Sequence, residues 1–471
     1  MVSLKFYGGV DEIGGNKILL EDGDTRVFLD FGMSFGRKGL FFEEFLPPRT
    51  VNGIGDFIEL GLIPDQKGLY RNDLMNLLGR EKEDSNIDGV ILSHAHADHA
   101  NYISFLHEEI PIHCGKTTYD ILEAIKKSGW RNIESEIIDF KERPITNPKL
   151  PPIKRIFNKF RTGDKFKINS LEIEPVHVDH SVPGAYGFII HTSEGAVVYT
   201  GDFRLHGSHP EMTQEFIQKA VDSDPCAMIT EGTRIDIPKD DSSEKKVYAT
   251  SNKVISSTKD LAIVDFNFKD VDRIRTFYNI AKECGRKFVI SYKNACFLDK
   301  YSKDKKLDVP SLFDPFIAIY KPKKKTGQYA ESDYPRFARR FLNYPHINVV
   351  TPDDIRNHQN DYLIAINFWS LNELVDLSPH AGSTYVHSLS EAFNEEMAVS
   401  EERMKNWIQH YNLNLTQSHC SGHATGNQIL ETVNKINPKK LFPIHTQHQE
   451  LFTVIKNTEI IHEEGEEFIV G

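Results

Sequence analysis

The chain has 471 residues, of which 39% are hydrophobic and 26% charged, with a net charge of −12. That length exceeds the size at which a single core stops growing, so two domains are expected, and the composition excludes a disordered or fibrous chain. No apolar run approaches the ~18 residues that span a bilayer, and the acidic balance excludes a generally adhesive binder of polyanions.

Residues 1–10 (MVSLKFYGGV) lack the basic, apolar and small-residue order of a secretory leader and read as a first strand, so a cytoplasmic protein with no membrane partner is expected. Short apolar runs at 4–7, 17–20 and 26–30, separated by glycine-rich turns, predict a β-meander. Residues 36–86 are less regular, carry Pro47 and Pro48, and read as an irregular insertion. A strand at 90–93 runs into a histidine-rich turn, 119–128 reads as a helix, and strands follow at 166–177, 186–192 and 196–200. From about 235 the texture changes. Apolar strands at 261–265, 287–290 and 363–366 alternate with helical stretches at 271–283 and 335–341, the signature of a parallel α/β layer. After about 410 the strand-rich texture resumes, and 441–444 leads into another histidine. The middle of the chain therefore reads as an inserted domain.

The five cysteines, Cys114, Cys226, Cys284, Cys296 and Cys420, form no CxxC pair, which predicts free, mostly buried thiols rather than a thiolate metal site or a disulfide framework. Local basic segments at 154–167 and 321–325, with Arg336, Arg339 and Arg340, are candidate contacts for a polyanion and read equally well as solvated faces.

The densest chemistry is HAHADH at 94–99, with four ligand-type side chains in six residues at the end of a strand. Extended backbone projects His94 and His96 to one side, while Asp98 and His99 follow as the chain turns and are placed to face a second ion. Imidazole and carboxylate without thiolate suit zinc, and also manganese. Three more segments repeat the form of an apolar strand ending in a ligand. They supply His177 and His180, then Asp202 after Gly201, then His445. Strand ends converge on one rim, so the repetition carries more than any single histidine.

HAHADH matches the H-x-H-x-D-H motif of the metallo-β-lactamase-fold hydrolases. TEGTR (230–234), SGHA (421–424) and PIHTQH (443–448) resemble motifs A, B and C of the β-CASP nucleases, a family that includes ribonuclease J, the cleavage and polyadenylation nuclease and Artemis. The resemblance runs from Gly8 to His448, with the motifs in the family's order. It implies an α/β fold: a metallo-β-lactamase αββα sandwich built from 1–234 and 411–471, with an inserted α/β β-CASP domain at 235–410 and the metals in the cleft between the domains. It implies two Zn2+ ions, one on His94, His96 and His180, the other on Asp98, His99 and His445, with Asp202 bridging. Glu231 would hydrogen-bond near the second ion, and His423 would reach the scissile phosphate or the leaving group. His177 falls outside the motif positions and reads as structural.

The implied reaction is hydrolysis of a phosphodiester in single-stranded RNA, internally or from a 5′ end. Asp98, Glu231 and His423 are the catalytic candidates, and His423 is read either as proton donor to the 3′ oxygen or as phosphate binder. Hydroxyls at Ser383, Thr384, Ser388, Ser390, Ser418 and Ser421, beside Tyr385, and backbone at Gly382 and Gly422, are candidate phosphate contacts. His380, His387 and His419 read as loop residues. A histidine in motif C favours RNA over DNA, although this one continues His-Thr-Gln-His rather than the His-Gly-Glu of ribonuclease J. The sequence ends about 20 residues after His448, so the C-terminal domain that helps ribonuclease J dimerise is expected to be absent, with a homodimer left open. A DNA-directed nuclease and a small-molecule metallo-hydrolase are the competing activities. A catalytically inactive scaffold is disfavoured because every ligand position is filled.

Overall fold

The computed structural model describes residues 1–471 apart from 44, 130, 131, 146, 148, 391–394 and 471. Its chain divides into two compact units, Met1–Asp240 with Gly422–Gly471, and Asp241–Ser421. The joins expected from the sequence, 234/235 and 410/411, lie some residues before these.

In the first unit the meander forms a sheet edge. Val2–Phe6, Ile18–Asp22 and Thr25–Leu29 pair antiparallel in chain order. Gly89–Leu92, Ile112–Gly115 and Phe157–Phe160 extend the sheet in parallel, and Glu467–Ile469 closes its other edge. A second sheet of six strands runs in the order Leu441–Ile444, Ala227–Glu231, Gly195–Tyr199, Tyr186–Thr192, Leu171–His177 and Phe166–Ile168. The two sheets share a core in which Leu4, Phe6, Leu20 and Leu29 meet Ile190, Val197, Tyr199 and Phe442.

Side chains alternate across a strand, so each second-sheet strand serves two layers. Val197 faces the inner core, while Val198 packs outward with Phe216, Ala220, Ile429 and Val433 of helices Pro210–Asp222 and Gly426–Ile436. The first of these helices starts with Pro210 and Glu211 and carries Lys219 in its last turn, an order that suits the helix dipole. On the other sheet, helix Lys116–Ser128 buries Ile121, Leu122 and Ala124 and sets Tyr119 edge-on to Phe157. The result is the expected αββα layering.

Residues 36–86 are less of a loose insertion than their irregular sequence suggests. Short helices Phe35–Gly39, Gly55–Glu59 and Asn72–Asn76 are tied into the unit, with Phe57 packing edge-on to Tyr102 at 5.6 Å. Arg71 is fully buried, bonding Asp73 and Glu136 at 2.7 Å each. Arg71→Leu leaves the buried Asp73 without its cation and Glu136 with Arg143 alone, and is expected to destabilise this unit by about 3–5 kcal/mol, read by urea unfolding under circular dichroism.

The second unit is built on a seven-stranded sheet, every pair of which is parallel. Its order is Val349–Val350, Ile317–Tyr320, Lys287–Ser291, Tyr362–Ala365, Ala262–Asp265, Thr384–His387 and Asn414–Gln417. Strands Ala262–Asp265 and Ile317–Tyr320 are buried at every residue, which explains why they read as unbroken apolar runs. Helices between strands are capped locally: Asp270 accepts from the Arg273 N–H at the start of Val271–Glu283. None of the five cysteines is in a disulfide; four are buried and Cys284 is half-buried. Among the described residues, no helix is long and apolar enough to cross a membrane.

Candidate metal centre

The parallel strand Gly89–Leu92 ends at Ser93; the chain bends at Ser93 and Ala95, and His96, itself extended, precedes a helical turn, Ala97–Ala100. That turn brings Asp98 and His99 back beside the strand end. His94 Nε2 lies 3.0 Å from His96 Nδ1, which is 3.2 Å from His180 Nε2. On the other side His445 Nε2 lies 3.3 Å from Asp98 Oδ2.

Asp202 joins the two halves. Its Oδ2 is 3.1 Å from His99 Nε2, 3.6 Å from His94 Nε2, and 3.8 Å from both His180 Nε2 and His445 Nε2. Donor atoms within 4.8 Å of one another thus form three overlapping groups: His94, His96, His180 and Asp202; Asp98, His99 and His445; and Asp202, Glu231 and His423. In the third, His423 Nδ1 sits 2.8 Å from Glu231 Oε2, while Glu231 Oε1 accepts from the Phe203 N–H at 2.7 Å.

The outer nitrogens fix what the inner ones present. His180 Nδ1 lies 2.7 Å from the Gly422 carbonyl and His99 Nδ1 lies 2.7 Å from Asp30 Oδ2, both acceptors only. The Ser93 hydroxyl donates to Asp30, so it accepts from His94 Nδ1 at 2.9 Å. The Thr233 hydroxyl donates to the His445 carbonyl and accepts from His445 Nδ1 at 2.8 Å. In the neutral imidazole a proton on Nδ1 leaves Nε2 as a bare lone pair. Four such lone pairs therefore converge on the Asp202 carboxylate. His99 Nε2 and Asp202 Oδ1 are buried without a well-formed hydrogen bond. Acceptors facing acceptors in a buried site call for cations between them, and the nitrogen and oxygen donors fit zinc or manganese.

Without an ion the electrostatics divide: burial would lower His99 and His445, but Asp202 and the neighbouring carboxylates raise both above their ordinary range. Burial pushes His94 and His180 below their ordinary range, helped by neighbouring imidazoles. Burial would raise Asp98 and Asp202, but the facing histidines hold both carboxyls below the usual range. For His423 burial is outweighed by Glu231 and then Asp202, which raise it to about 9.

Residues 64–229 match the family described as "Beta-lactamase superfamily domain", and residues 412–454 match "Zn-dependent metallo-hydrolase RNA specificity domain". The chain thus carries a β-lactamase-superfamily domain and is similar to ribonuclease J along most of its length. It is 23% identical over 460 residues to ribonuclease J of Mycoplasma genitalium, covering 95% of this chain and 68% of that one. It is also 23% identical to ribonuclease J of Pyrococcus abyssi, across 100% of this chain and 94% of the relative. A crystal structure of a protein of unknown function from Enterococcus faecalis V583 shares the fold, with a TM-score of 0.74, 24% identity and 99% of each chain covered. The first family match contains His94 to Asp202 and the second His423 and His445, with Glu231 just outside the first; with the ribonuclease J relatives they make this chain a metal-dependent hydrolase.

Not every residue singled out in the sequence comes to this centre. His177 is half-buried with its ring 4.2 Å from that of Tyr186, away from the three donor groups. Ser383, Thr384 and Ser388 are buried inside the second unit. Thr384 shares a 2.6 Å hydrogen bond with Thr258, and Ser388 donates to the Ser418 carbonyl while accepting from Arg273. These hydroxyls serve the interior of that unit. Tyr385 and His387 both bond Asp265, His380 bonds Asp260, and the Ser418 hydroxyl donates to the Val247 carbonyl.

Several supporting residues escape a reading of motifs. Asp30, fully buried, is the hub beneath the centre: the Ser93 N–H and hydroxyl donate to it at 2.7 Å each and the Tyr199 hydroxyl at 2.6 Å, besides His99. It ends an apolar strand in a carboxylate, the same signal that picked out Asp202. Gly14 and Gly32 let the turn that carries Asp98 approach: a Cβ on Gly14 would lie 2.7 Å from Asp98 Cβ, and one on Gly32 1.7 Å from the Asp98 carbonyl oxygen. Asp30→Ala leaves His99 unanchored and is expected to weaken metal affinity by about 10- to 100-fold, measured by competition with a chromophoric chelator.

Proposed function

We propose that this protein is a two-zinc phosphodiesterase that cuts single-stranded RNA, internally, from the 5′ end, or both. The single observation that carries the reading is the placement of Asp202 between two donor groups, with His423 and Glu231 at its flank. The homology to ribonuclease J and the match to an RNA specificity segment support RNA as the substrate, as does the histidine at position 445. We assign 1–234 and 411–471 to the metallo-β-lactamase domain and 235–410 to a β-CASP domain.

His94, His96 and His180 would hold one ion, Asp98, His99 and His445 the other, and Asp202 both. Zinc or manganese bound there would lower the pKa of a water and offset charge on the phosphate oxygens. Hydrolysis forms a bond from water oxygen to phosphorus and breaks the bond to the 3′ oxygen, which needs a proton. His423 supplies it from Nε2, because Nδ1 is committed to Glu231 and the neighbouring carboxylates favour the charged ring. Glu231 is itself positioned by the Phe203 N–H, so the pair keeps one orientation. Gly422 and Ser421 join His423 as backbone and hydroxyl contacts for the scissile phosphate, with Gly422 free of a Cβ that would lie 2.9 Å from Ser181 Cβ.

Matched single-stranded RNA and DNA, each 5′-labelled, test the reading with zinc- or manganese-loaded wild type beside Asp98→Ala. RNA cutting that disappears in the variant is the expected result, and the ladder of products separates internal from 5′-end cutting. DNA cut as fast as RNA would overturn the assignment of substrate, and no cutting of either would overturn the nuclease reading.

A further inference from the structure

The parallel sheet of the second unit has a crevice of about 370 Å3, within the size range of small-ligand sites, lined mostly by apolar and aromatic side chains with a few polar groups. It opens at the carboxyl ends of three adjacent strands, Ala262–Asp265, Tyr362–Ala365 and Lys287–Ser291. Here the chain reverses its direction of travel. It runs outward from Ala262–Asp265 through Lys287–Ser291 to Val349–Val350, returns to insert Tyr362–Ala365, then adds Thr384–His387 and Asn414–Gln417 on the opposite side. Such switch points, outside the carboxyl ends of parallel strands, are where open α/β sheets bind ligands.

The lining is built for a flat, polar-edged molecule. Phe297, Phe368 and Trp369 supply aromatic faces, and Asn267 and Asn294 supply amides. Trp369 is 78% exposed and is held edge-on to Phe368 at 5.1 Å, an arrangement that leaves indole surface in solvent for stacking. Asp265, 1% exposed, also lines the crevice. Its Oδ2 accepts from the Tyr385 hydroxyl at 3.1 Å and lies 3.2 Å from His387 Nδ1, which holds the carboxylate still, while Oδ1 has no hydrogen-bond partner among the described residues. A buried carboxylate oxygen with unused lone pairs asks for an N–H donor and rejects an acceptor.

The geometry points to a guanine-base site, in which the base stacks on Trp369 and its adjacent N1–H and N2–H2 donors meet Asp265. Adenine offers an acceptor, N1, beside its amino group and is disfavoured at the same place. Guanine chemistry has two sources, a free guanosine nucleotide or one residue of an RNA strand, and the site takes either by the same contacts. This inference does not depend on the metal centre, since binding is read without cleavage.

Calorimetric titration of the whole chain in EDTA, which prevents scission, compares GMP with AMP and the pentamer r(UUGUU) with r(UUAUU). The guanine ligand of at least one pair is expected to bind about 10- to 100-fold more tightly than its adenine partner, the range set by one hydrogen bond to a charged group. Asp265→Asn and Trp369→Ala should each abolish that preference; Trp369 is exposed, so its variant tests the site without disturbing the core. Preference shown by GMP assigns the site to a free nucleotide, and preference shown only by the pentamer assigns it to a strand. Equal binding of guanine and adenine ligands in both pairs, or a preference that survives both substitutions, overturns the proposal.

Discussion

Asp202→Ala is expected to abolish RNA cutting, with a loss on the order of 10³-fold or more, and to lower bound metal below two equivalents. The size follows from position. Asp202 Oδ2 lies within 4.0 Å of His94, His99, His180, His445 and His423, so no other single side chain touches every part of the centre. Removing it leaves Nε2 of His94 and of His180 with no carboxylate beside it, and Nε2 of His99 and of His445 with Asp98 alone. Asp202→Asn keeps the volume but not the charge, and should fall near the alanine variant. Cleavage kinetics with elemental analysis of the purified variants read both effects. If Asp202→Ala kept two ions and near wild-type cutting, the bridging role would be wrong.

His423→Ala is expected to slow cutting by about 10²- to 10⁴-fold while leaving metal content unchanged, because His423 belongs to the flank with Glu231 and not to the two main donor groups. The two roles considered for it separate in the kinetics. A proton donor acts on the leaving group, so its loss lowers kcat with little change in KM. A phosphate contact made equally in ground and transition states raises KM instead. Glu231→Gln keeps a hydrogen-bond acceptor for His423 but removes the charge that raises its pKa, and a smaller loss in kcat is expected.

Much of the centre is legible because its residues are concentrated or punctuated. HAHADH stands out within six residues, and His180, Asp202 and His445 each follow an apolar strand. Parallel pairing of Ala227–Glu231 with both Gly195–Tyr199 and Leu441–Ile444 then brings distant strand ends to one rim. The anchoring residues lack that advantage. Asp30 bonds His99 from 69 positions away, and Asn16 bonds Tyr199 from 183 positions away, so neither is linked to the motif by any local pattern.

The serine and threonine residues at 383–388 show the opposite failure. A polar run between helical stretches reads as an exposed loop, but Thr384–His387 is a strand with parallel neighbours on both sides. The hydroxyls of Thr384 and Ser388 are buried and hydrogen-bonded within the unit, and that of Ser383 is buried without a partner among the described residues, tertiary facts that composition cannot reveal. In the same way, 36–86 reads as loose because its helices are short, although Arg71 and Phe57 pin it in place.

The most direct test of the account is a zinc titration of metal-free protein, followed at each step by bound-metal analysis and by cutting of 5′-labelled single-stranded RNA. Activity that rises as the second equivalent binds, and vanishes on chelation, is the predicted result. RNA cutting that persists in chelator, or that reaches its full rate with one ion bound, would contradict it.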